Sequence, residues 1–402
     1  MKVAIIGGGA SGLCCAIEAA KGKNQVTIFE AKDRVGKKIL ATGNGRCNML
    51  NAFAGEEDYS SPNFVHGVLS RCNPKEVRHF FEELGLYTRQ DEEGRVYPLS
   101  NQATSVLDVL RLECERVGVK TVCGKEVTQI SKKGKNFIVH GEAYDKVVIC
   151  CGSKAAVKNF AGYELMKGMG HTVTKLMPGL TKLTVKDNTY TKQLKGIRHK
   201  AKLSLYIDSK KLKEEDGELL FADYGLSGIA VMQLSSLIAR HFKSSKLLPV
   251  VSCDFVAEMD FNELYDKVKR IIRHSSEMKC ENLLTGFMPK KLGEVVVKSA
   301  GVPTTKAVGN LTEKEIKLIV SLAKKFSFEI LSLRPFEDAQ VVCGGAMLKE
   351  FDKYTLESLK CKGLYACGEI LDVDGPCGGY NLLWAFASGI TVGRQINNDK
   401  NK

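Results

Sequence analysis

Three glycines near the start of the chain, Gly7, Gly9 and Gly12, have the spacing of a loop that holds a pyrophosphate. Gly7 permits a tight turn, Gly9 has no side chain to keep a phosphate from the backbone, and Gly12 lets a helix lie close to a sheet. Glu30, eighteen residues after Gly12, can accept hydrogen bonds from both hydroxyls of an adenosine ribose. This spacing therefore predicts a site for the adenylate half of a dinucleotide.

The elements that must position these residues follow from the local pattern. Lys2–Ile6 is a β-branched apolar run, residues 13–21 are helix-like, and Gln25–Phe29 is a second apolar run. Strand, glycine turn, helix, strand and acid in this order are typical of a dinucleotide-binding βαβ unit. A loop that is merely rich in glycine would not explain why Glu30 ends an otherwise apolar strand.

Composition and length indicate an ordinary globular chain. With 402 residues, 44% hydrophobic and 26% charged, the chain can form two or three domains. No apolar run approaches the roughly 20 residues that a membrane span requires. Because a strand is predicted from the second residue, we expect no leader segment and a cytoplasmic protein.

The fourteen cysteines contain no CxxC pair, and several lie in apolar runs. Buried free thiols are the better interpretation, which argues against a reductase with a redox dithiol beside its cofactor. The net charge of +13 fits a solvated basic surface or attraction for anionic cofactors and substrates. Basic residues cluster between positions 175 and 213, but no basic motif with interleaved aromatic residues favours nucleic-acid binding.

The far end of the chain indicates which dinucleotide is bound. No second GxGxxG is present for a separate nicotinamide domain. Instead, a predicted strand leads to Glu369, and the pair Gly378 and Gly379 opens the last helix. Glu369 can bind ribityl hydroxyls, and backbone N–H groups from Gly379 to Asn381 can face the N1–C2 edge of a flavin. NAD needs no such distant second clamp, so the pattern predicts FAD.

Three further motifs carry a resemblance to a known family. They are GRCN at 45–48, GLSG at 225–228 and GEILDVDGPCGGYNLLWA at 368–385. Together the chain resembles, over essentially its whole length, the BaiN/YhiN-like NAD(P)/FAD-dependent oxidoreductases, also labelled aminoacetone-oxidase-type flavoproteins. One departure is Leu50, which stands where that family usually has threonine.

The resemblance implies an α/β fold with a Rossmann-like FAD-binding domain built from both chain ends. The predicted FAD-binding domain takes residues 1–182 and 339–402. A β-barrel-like middle domain takes 183–258 and 327–338, and a helical insert takes 259–326. Within these, residues 127–130 are predicted to be a strand, and Thr312 with Glu315 forms a capping box.

Site residues also follow from the resemblance. The ADP half is expected on Gly7, Gly9, Ser11, Gly12 and Glu30, with the backbone of Val127 at the adenine. The phosphates or the flavin are expected near Lys38, Arg46, Cys47 and Asn48. The ribityl and ring region is expected on Glu369, Asp372, Asp374, Gly379, Tyr380 and Asn381, and Gly152, Gly368 and Gly378 complete the cofactor set.

Structural interpretations stand beside these roles. Asp372 and Asp374 can simply cap a turn, and Cys47 can be a packed small residue rather than a nucleophile. Tyr380 can pack under the sheet or act as a proton donor, and it is the one catalytic candidate. No metal site is predicted, and His171 shows no partner in the sequence.

The predicted activity is that of an FAD enzyme that takes hydride from NAD(P)H at flavin N5 and delivers it to an organic acceptor. The resemblance suggests a small, hydrophobic or anionic substrate, such as a conjugated enone of the 3-oxo steroid or bile-acid type. Two alternatives remain open. One is a flavin amine oxidase that uses oxygen, and the other is an RNA-associated flavoprotein.

Overall fold

The computed structural model describes residues 1–157 and 160–400. The chain forms two compact units, one from Met1–Met177 with Val341–Lys402 and the other from Pro178–Gln340. The finer division into four segments stays a prediction. No helix among the described residues is long and apolar enough to span a membrane.

A five-stranded parallel sheet forms the centre of the first unit. Its strands, in spatial order, are Leu364–Ala366, Lys146–Ile149, Lys2–Ile6, Gln25–Phe29 and Lys120–Val122. The β-branched and apolar residues of the central strands are buried, as expected of a parallel sheet covered on both faces. Because its strands come from both ends of the chain, the sheet confirms the predicted Rossmann-like fold.

Helices cover this sheet, and the last one packs closely on the first. Gly389 and Gly393 of the last helix allow the approach, since a Cβ at Gly389 would lie 2.3 Å from the Ser11 carbonyl oxygen. At Gly393 a Cβ would lie 2.7 Å from the Cys15 carbonyl oxygen. The helices of this unit are Ala10–Lys21, Lys37–Leu40, Pro62–Leu69, Pro74–Glu83, Ala103–Arg116, Gly162–Gly168 and Tyr380–Lys400.

Two small antiparallel sheets complete the first unit. One orders its strands Leu50–Asn51, Arg95–Pro98 and Thr88–Gln90, and the other Ser131–Lys133, Asn136–Val139 and Glu142–Tyr144. Two further short strands are Met177–Gly179 and Val341–Cys343. The prediction of a strand at 127–130 is wrong, because strand pairing begins only at residue 131. Val127 and Ile130 are apolar because their side chains are buried in the core.

The second unit is a closed six-stranded barrel with helices, which confirms the barrel and the helical insert of the predicted fold class. The barrel runs through Leu183–Val185, Gly225–Ser227, Lys210–Ala222, Arg198–Ile207, Val250–Asp254 and Phe326–Leu333. Its helices are Thr189–Gln193, Ile229–Ser244, Phe261–His274, Lys290–Ser299 and Glu313–Lys324. The predicted capping box is confirmed: Thr312 Oγ1 accepts from the Glu315 N–H at 3.3 Å, and the Glu315 carboxylate accepts from the Thr312 N–H at 2.7 Å.

Candidate functional site

The glycine loop between the first strand and the first helix leaves an open anion cradle. Gly7 has φ +110°, and a Cβ at Gly12 would lie 2.0 Å from the Gly7 carbonyl oxygen, so both positions require glycine. A Cβ at Gly9 would instead meet nothing within 4 Å. No side chain caps the helix that follows Gly9. Its first N–H groups are therefore available to a phosphate.

The carboxylate of Glu30 is held beside this loop. Its Oε2 accepts from the Gly8 N–H at 2.8 Å, and its Oε1 accepts from the Lys32 N–H at 2.9 Å. Both oxygens keep lone pairs for ribose hydroxyls. The Lys125 N–H bonds the Glu30 carbonyl oxygen at 3.0 Å, which brings the segment containing Val127 to the same strand end.

The C-terminal segment meets the glycine loop at Gly368. Here φ is +76°, and a Cβ would lie 2.6 Å from the Ser11 hydroxyl oxygen. The next residue, Glu369, accepts from the Ser153 hydroxyl at 3.0 Å and lies 3.7 Å from the Lys38 ammonium. Gly152, with φ +78°, supplies the turn before Ser153. Folding thus brings residues from four distant parts of the chain to one place.

The double-glycine turn contacts the GRCN loop. Both Gly378 and Gly379 have positive φ, and a Cβ at Gly379 would lie 2.5 Å from the Leu50 carbonyl carbon and 2.8 Å from Asn48 Oδ1. Asn381 stabilises this turn itself, since its side chain bonds the Gly375 N–H and the Gly375 carbonyl oxygen, each at 2.9 Å. The Asn381 amide is therefore engaged within its own segment.

Asn48 supplies a test of whether a cofactor fits. Its Oδ1 is buried and has no hydrogen-bond partner among the described residues. A buried unpaired acceptor costs roughly 1–3 kcal/mol, so it indicates a missing donor. The flavin ring has an N–H group that can serve as that donor. The residues present therefore fit FAD.

We expect replacement of Asn48 by leucine to separate cofactor binding from folding. The unliganded protein should lose no thermal stability, because an unpaired buried oxygen is removed. FAD affinity should fall by roughly tenfold, as for the loss of about 1.4 kcal/mol. Fluorescence titration of apoprotein with FAD measures the effect. An unchanged dissociation constant would remove Asn48 from the site.

Strained backbone surrounds this acceptor. Asn44 and Cys47 adopt positive φ values of 54° and 56°, which non-glycine residues rarely do. Burial raises the pKa of the Cys47 thiol to about 11, so it stays protonated at neutral pH. Cys47 is therefore a packed residue in a strained loop rather than a nucleophile.

The two aspartates of the C-terminal motif are engaged with their own unit. Asp372 Oδ2 accepts from the Thr174 hydroxyl at 2.8 Å. Asp374 is buried, and its Oδ2 lies 3.6 Å from the Cys343 sulfur. These contacts fit the structural interpretation of both residues.

Tyr380 begins the last helix and stacks edge-on against Tyr59 at 6.2 Å between ring centroids. The Tyr59 hydroxyl donates to the Tyr380 carbonyl oxygen at 2.9 Å. Burial, with a smaller contribution from the Asp58 carboxylate, raises the pKa of the Tyr380 phenol. The phenol therefore remains a potential proton donor at neutral pH.

Tyr163 lines a cavity that the sequence did not reveal. Its hydroxyl is buried. Burial and then the carboxylates of Glu369 and Asp372 raise the pKa of its phenol. It lines a cavity of about 750 Å³ together with Lys154 and Thr174. A tyrosine in a short helix carries no sequence signal for this position.

The first unit therefore combines a parallel sheet, an open glycine loop, the carboxylate of Glu30 held beside that loop and a C-terminal double-glycine turn against Asn48. These features define an FAD-dependent oxidoreductase. The family described as HI0933-like protein Rossmann domain matches residues 1–395. The chain belongs to this family, the BaiN/YhiN type of flavoprotein.

Characterised relatives cover nearly the whole chain. A 3-dehydro-bile acid delta(4,6)-reductase of Clostridium scindens is 37% identical over 404 residues, which is 98% of either chain. A ribosomal RNA dihydrouridine synthase of Haemophilus influenzae is 26% identical over 98% of either chain. Its Escherichia coli namesake is 28% identical over 96% of this chain and 95% of its own.

Proposed function

We propose that this protein is an FAD-dependent reductase of conjugated enones, with NADH or NADPH as electron donor. The candidate acceptor is a 3-oxo steroid or a bile-acid intermediate. The observation that carries this proposal is the full-length similarity, at 37% identity, to a 3-dehydro-bile acid delta(4,6)-reductase. Bound FAD supplies hydride transfer through its N5, from the nicotinamide to the β-carbon of the enone.

In this proposal, the residues of the chain bind FAD and orient it. The loop at Gly9 and the carboxylate of Glu30 hold the adenylate half. The helix that begins at Tyr380 points its positive dipole end at the double-glycine turn, which favours negative charge there. Asn48 Oδ1 would accept a hydrogen bond from the ring of bound FAD.

Tyr380 is proposed to protonate the α-carbon of the acceptor. Replacing Tyr380 by phenylalanine should slow the step with the enone by roughly 100-fold or more, as for loss of a general acid. Reduction by NAD(P)H should be unaffected. Stopped-flow absorbance separates the two half-reactions, and Tyr354→Phe, an exposed tyrosine, is the control. An unchanged rate for the step with the enone would indicate that water, and not Tyr380, donates the proton.

Anaerobic absorbance spectroscopy tests the whole proposal. NADH or NADPH should bleach the flavin band, and a 3-oxo-4-ene steroid should restore it. Failure of both nicotinamides to bleach the band would contradict a reductase. Peroxide formation from small amines without NAD(P)H would support the amine oxidase instead.

A second candidate function is favoured by the two relatives named ribosomal RNA dihydrouridine synthases. Uridine also contains a double bond conjugated to a carbonyl group, so its reduction would need the same chemistry. The basic cluster at 175–213 gives little support, because most of its cations are paired with carboxylates. The paired cations are Lys182, Lys186, Lys195, Arg198, Lys202, Lys211 and Lys213. Restoration of the flavin band by a ribosomal RNA transcript would establish the RNA activity.

A further inference from the structure

One face of the small sheet beside the GRCN loop is exposed and carries aromatic and cationic side chains. In this sheet Arg89 lies opposite Tyr97, and the Leu99 N–H bonds the Tyr87 carbonyl oxygen at 2.9 Å. The alternate residues Val96 and Pro98 are buried. Strand alternation therefore places Tyr87, Arg89, Tyr97 and Leu99 together on the outer face.

Two guanidinium groups converge on the Tyr97 ring. The Arg46 carbon Cζ lies 5.8 Å from the ring centroid, and that of Arg89 lies 5.5 Å from it. Arg89 is further oriented by a hydrogen bond of 2.9 Å to Asn101 Oδ1. Both cations therefore contact the same ring.

No carboxylate among the described residues pairs with Arg46 or Arg89. Arg95, on the same strand as Tyr97, behaves differently, since it pairs with Asp91 at 2.8 Å and Glu93 at 2.9 Å. Two neighbouring like charges without a counterion attract an anion, and a guanidinium binds a carboxylate with two parallel hydrogen bonds. We name Arg46, Arg89 and Tyr97 the arginine clamp.

Apolar surface borders the arginine clamp. Tyr87 and Leu99 expose 64% and 62% of their surface, and Phe53 exposes 67%. Phe53 packs over Gly94 at the start of the central strand of the sheet, since a Cβ at Gly94 would lie 2.5 Å from its ring. Exposed apolar groups beside unpaired cations match a ligand with an apolar body and an anionic group.

We propose that the arginine clamp binds the carboxylate of an amphipathic enone substrate. The inference rests on the proposed function. Arg46 stands two residues from Asn48, whose oxygen faces the double-glycine turn. The clamp therefore borders the place where the reacting double bond is expected. It selects anionic steroid-like enones over neutral ones of the same shape.

The test compares a 3-oxo-4-ene steroid carrying a side-chain carboxylate with its methyl ester. FAD-loaded wild type, Arg89→Gln and the control Arg111→Gln are titrated by calorimetry and assayed for reduction. Arg111 is an exposed arginine on a helix, so its replacement changes the net charge equally. Wild type should bind the acid at least tenfold more tightly than the ester, as for one charged hydrogen bond. Arg89→Gln should lose this preference without weakening ester binding, and Arg111→Gln should keep it.

The possible results test the arginine clamp and the enone reduction separately. Equal binding of acid and ester by wild type would overturn the clamp, while reduction of the ester would still support the proposed function. An Arg89-dependent preference for the acid without reduction of either compound would support the clamp and remove the enone reductase. Salt-sensitive binding of single-stranded RNA that Arg89→Gln abolishes, with acid binding unchanged, would overturn the clamp in favour of RNA.

Discussion

Replacing Gly9 by valine is expected to give a folded protein that does not retain FAD. A Cβ at Gly9 would meet no other protein atom within 4 Å, and φ of −84° suits any residue. The added atoms would instead occupy the space in front of the helix N-terminus. Two lost hydrogen bonds to a charged phosphate cost roughly 3–6 kcal/mol, which weakens binding by about 100-fold or more.

Flavin content after purification and fluorescence titration of the apoprotein measure this effect. Circular dichroism should show an unchanged fold. Gly286→Val is the matched control, because a Cβ at Gly286 would also meet nothing within 4 Å and its φ is not positive. A Gly9→Val protein that binds FAD like wild type would mean that the pyrophosphate lies elsewhere.

Replacing Glu350 by alanine should be among the most destabilising substitutions in the first unit. Its carboxylate is buried and accepts from Lys360 Nζ at 2.7 Å, from the Thr172 N–H at 2.9 Å and from the Thr172 hydroxyl at 2.8 Å. It also lies 3.0 Å from His171 Nδ1, whose Nε2 is 2.9 Å from the Ser358 hydroxyl oxygen. Removing this carboxylate leaves the buried His171 ring and the Thr172 N–H without their acceptor, and each hydrogen bond to a charged group contributes roughly 1.5–3 kcal/mol.

Thermal unfolding measures the loss, which should lower the midpoint by about 10 °C. Lys167→Ala is the control, because it breaks an exposed ion pair with Glu164 and should shift the midpoint little. A Glu350→Ala protein as stable as wild type would show that the network contributes nothing to folding. The expected destabilisation is local to this network. The Phe351 ring belongs to it, because it stacks on the His171 ring with 4.4 Å between the ring centroids.

Acid should weaken the same network. Burial acts to raise the pKa of Glu350, but the bonds from Lys360, Thr172 and His171 outweigh it and lower the pKa to about 2. A carboxyl whose pKa is lowered by folding contributes stability above its unfolded pKa of about 4.3. That contribution is lost as the pH falls from there towards 2. Burial also lowers the pKa of His171, although Glu350 opposes it, and this adds to the acid sensitivity.

The Glu350→Gln variant isolates this effect. It keeps the shape of the side chain and removes the titrating charge. The difference in unfolding midpoint between wild type and Glu350→Gln should be largest near pH 7 and should shrink below pH 4. A difference that stays constant with pH would assign the stability to packing alone.

Local sequence patterns were enough to predict the features that depend only on residues close together in the chain. The glycine spacing before the first helix predicted the cradle, because positive φ and close approach need glycine at positions such as Gly7 and Gly12. Likewise, Thr312 and Glu315 predicted a helix start, because capping involves only neighbouring residues.

Tertiary structure decided the features whose partners lie far apart in the chain. The pairing of His171 with Glu350 joins residues 179 positions apart, and neither has a local signal. Arg46 meets Tyr97 only because a short strand folds back beside the GRCN loop. The strand prediction at residues 127–130 was wrong for the same reason. Val127 and Ile130 form an apolar run because they are buried in the core, although the segment has no strand pairing. Sequence alone thus determined the glycine turn before the first helix, whereas long-range packing decided which buried polar groups are left without partners.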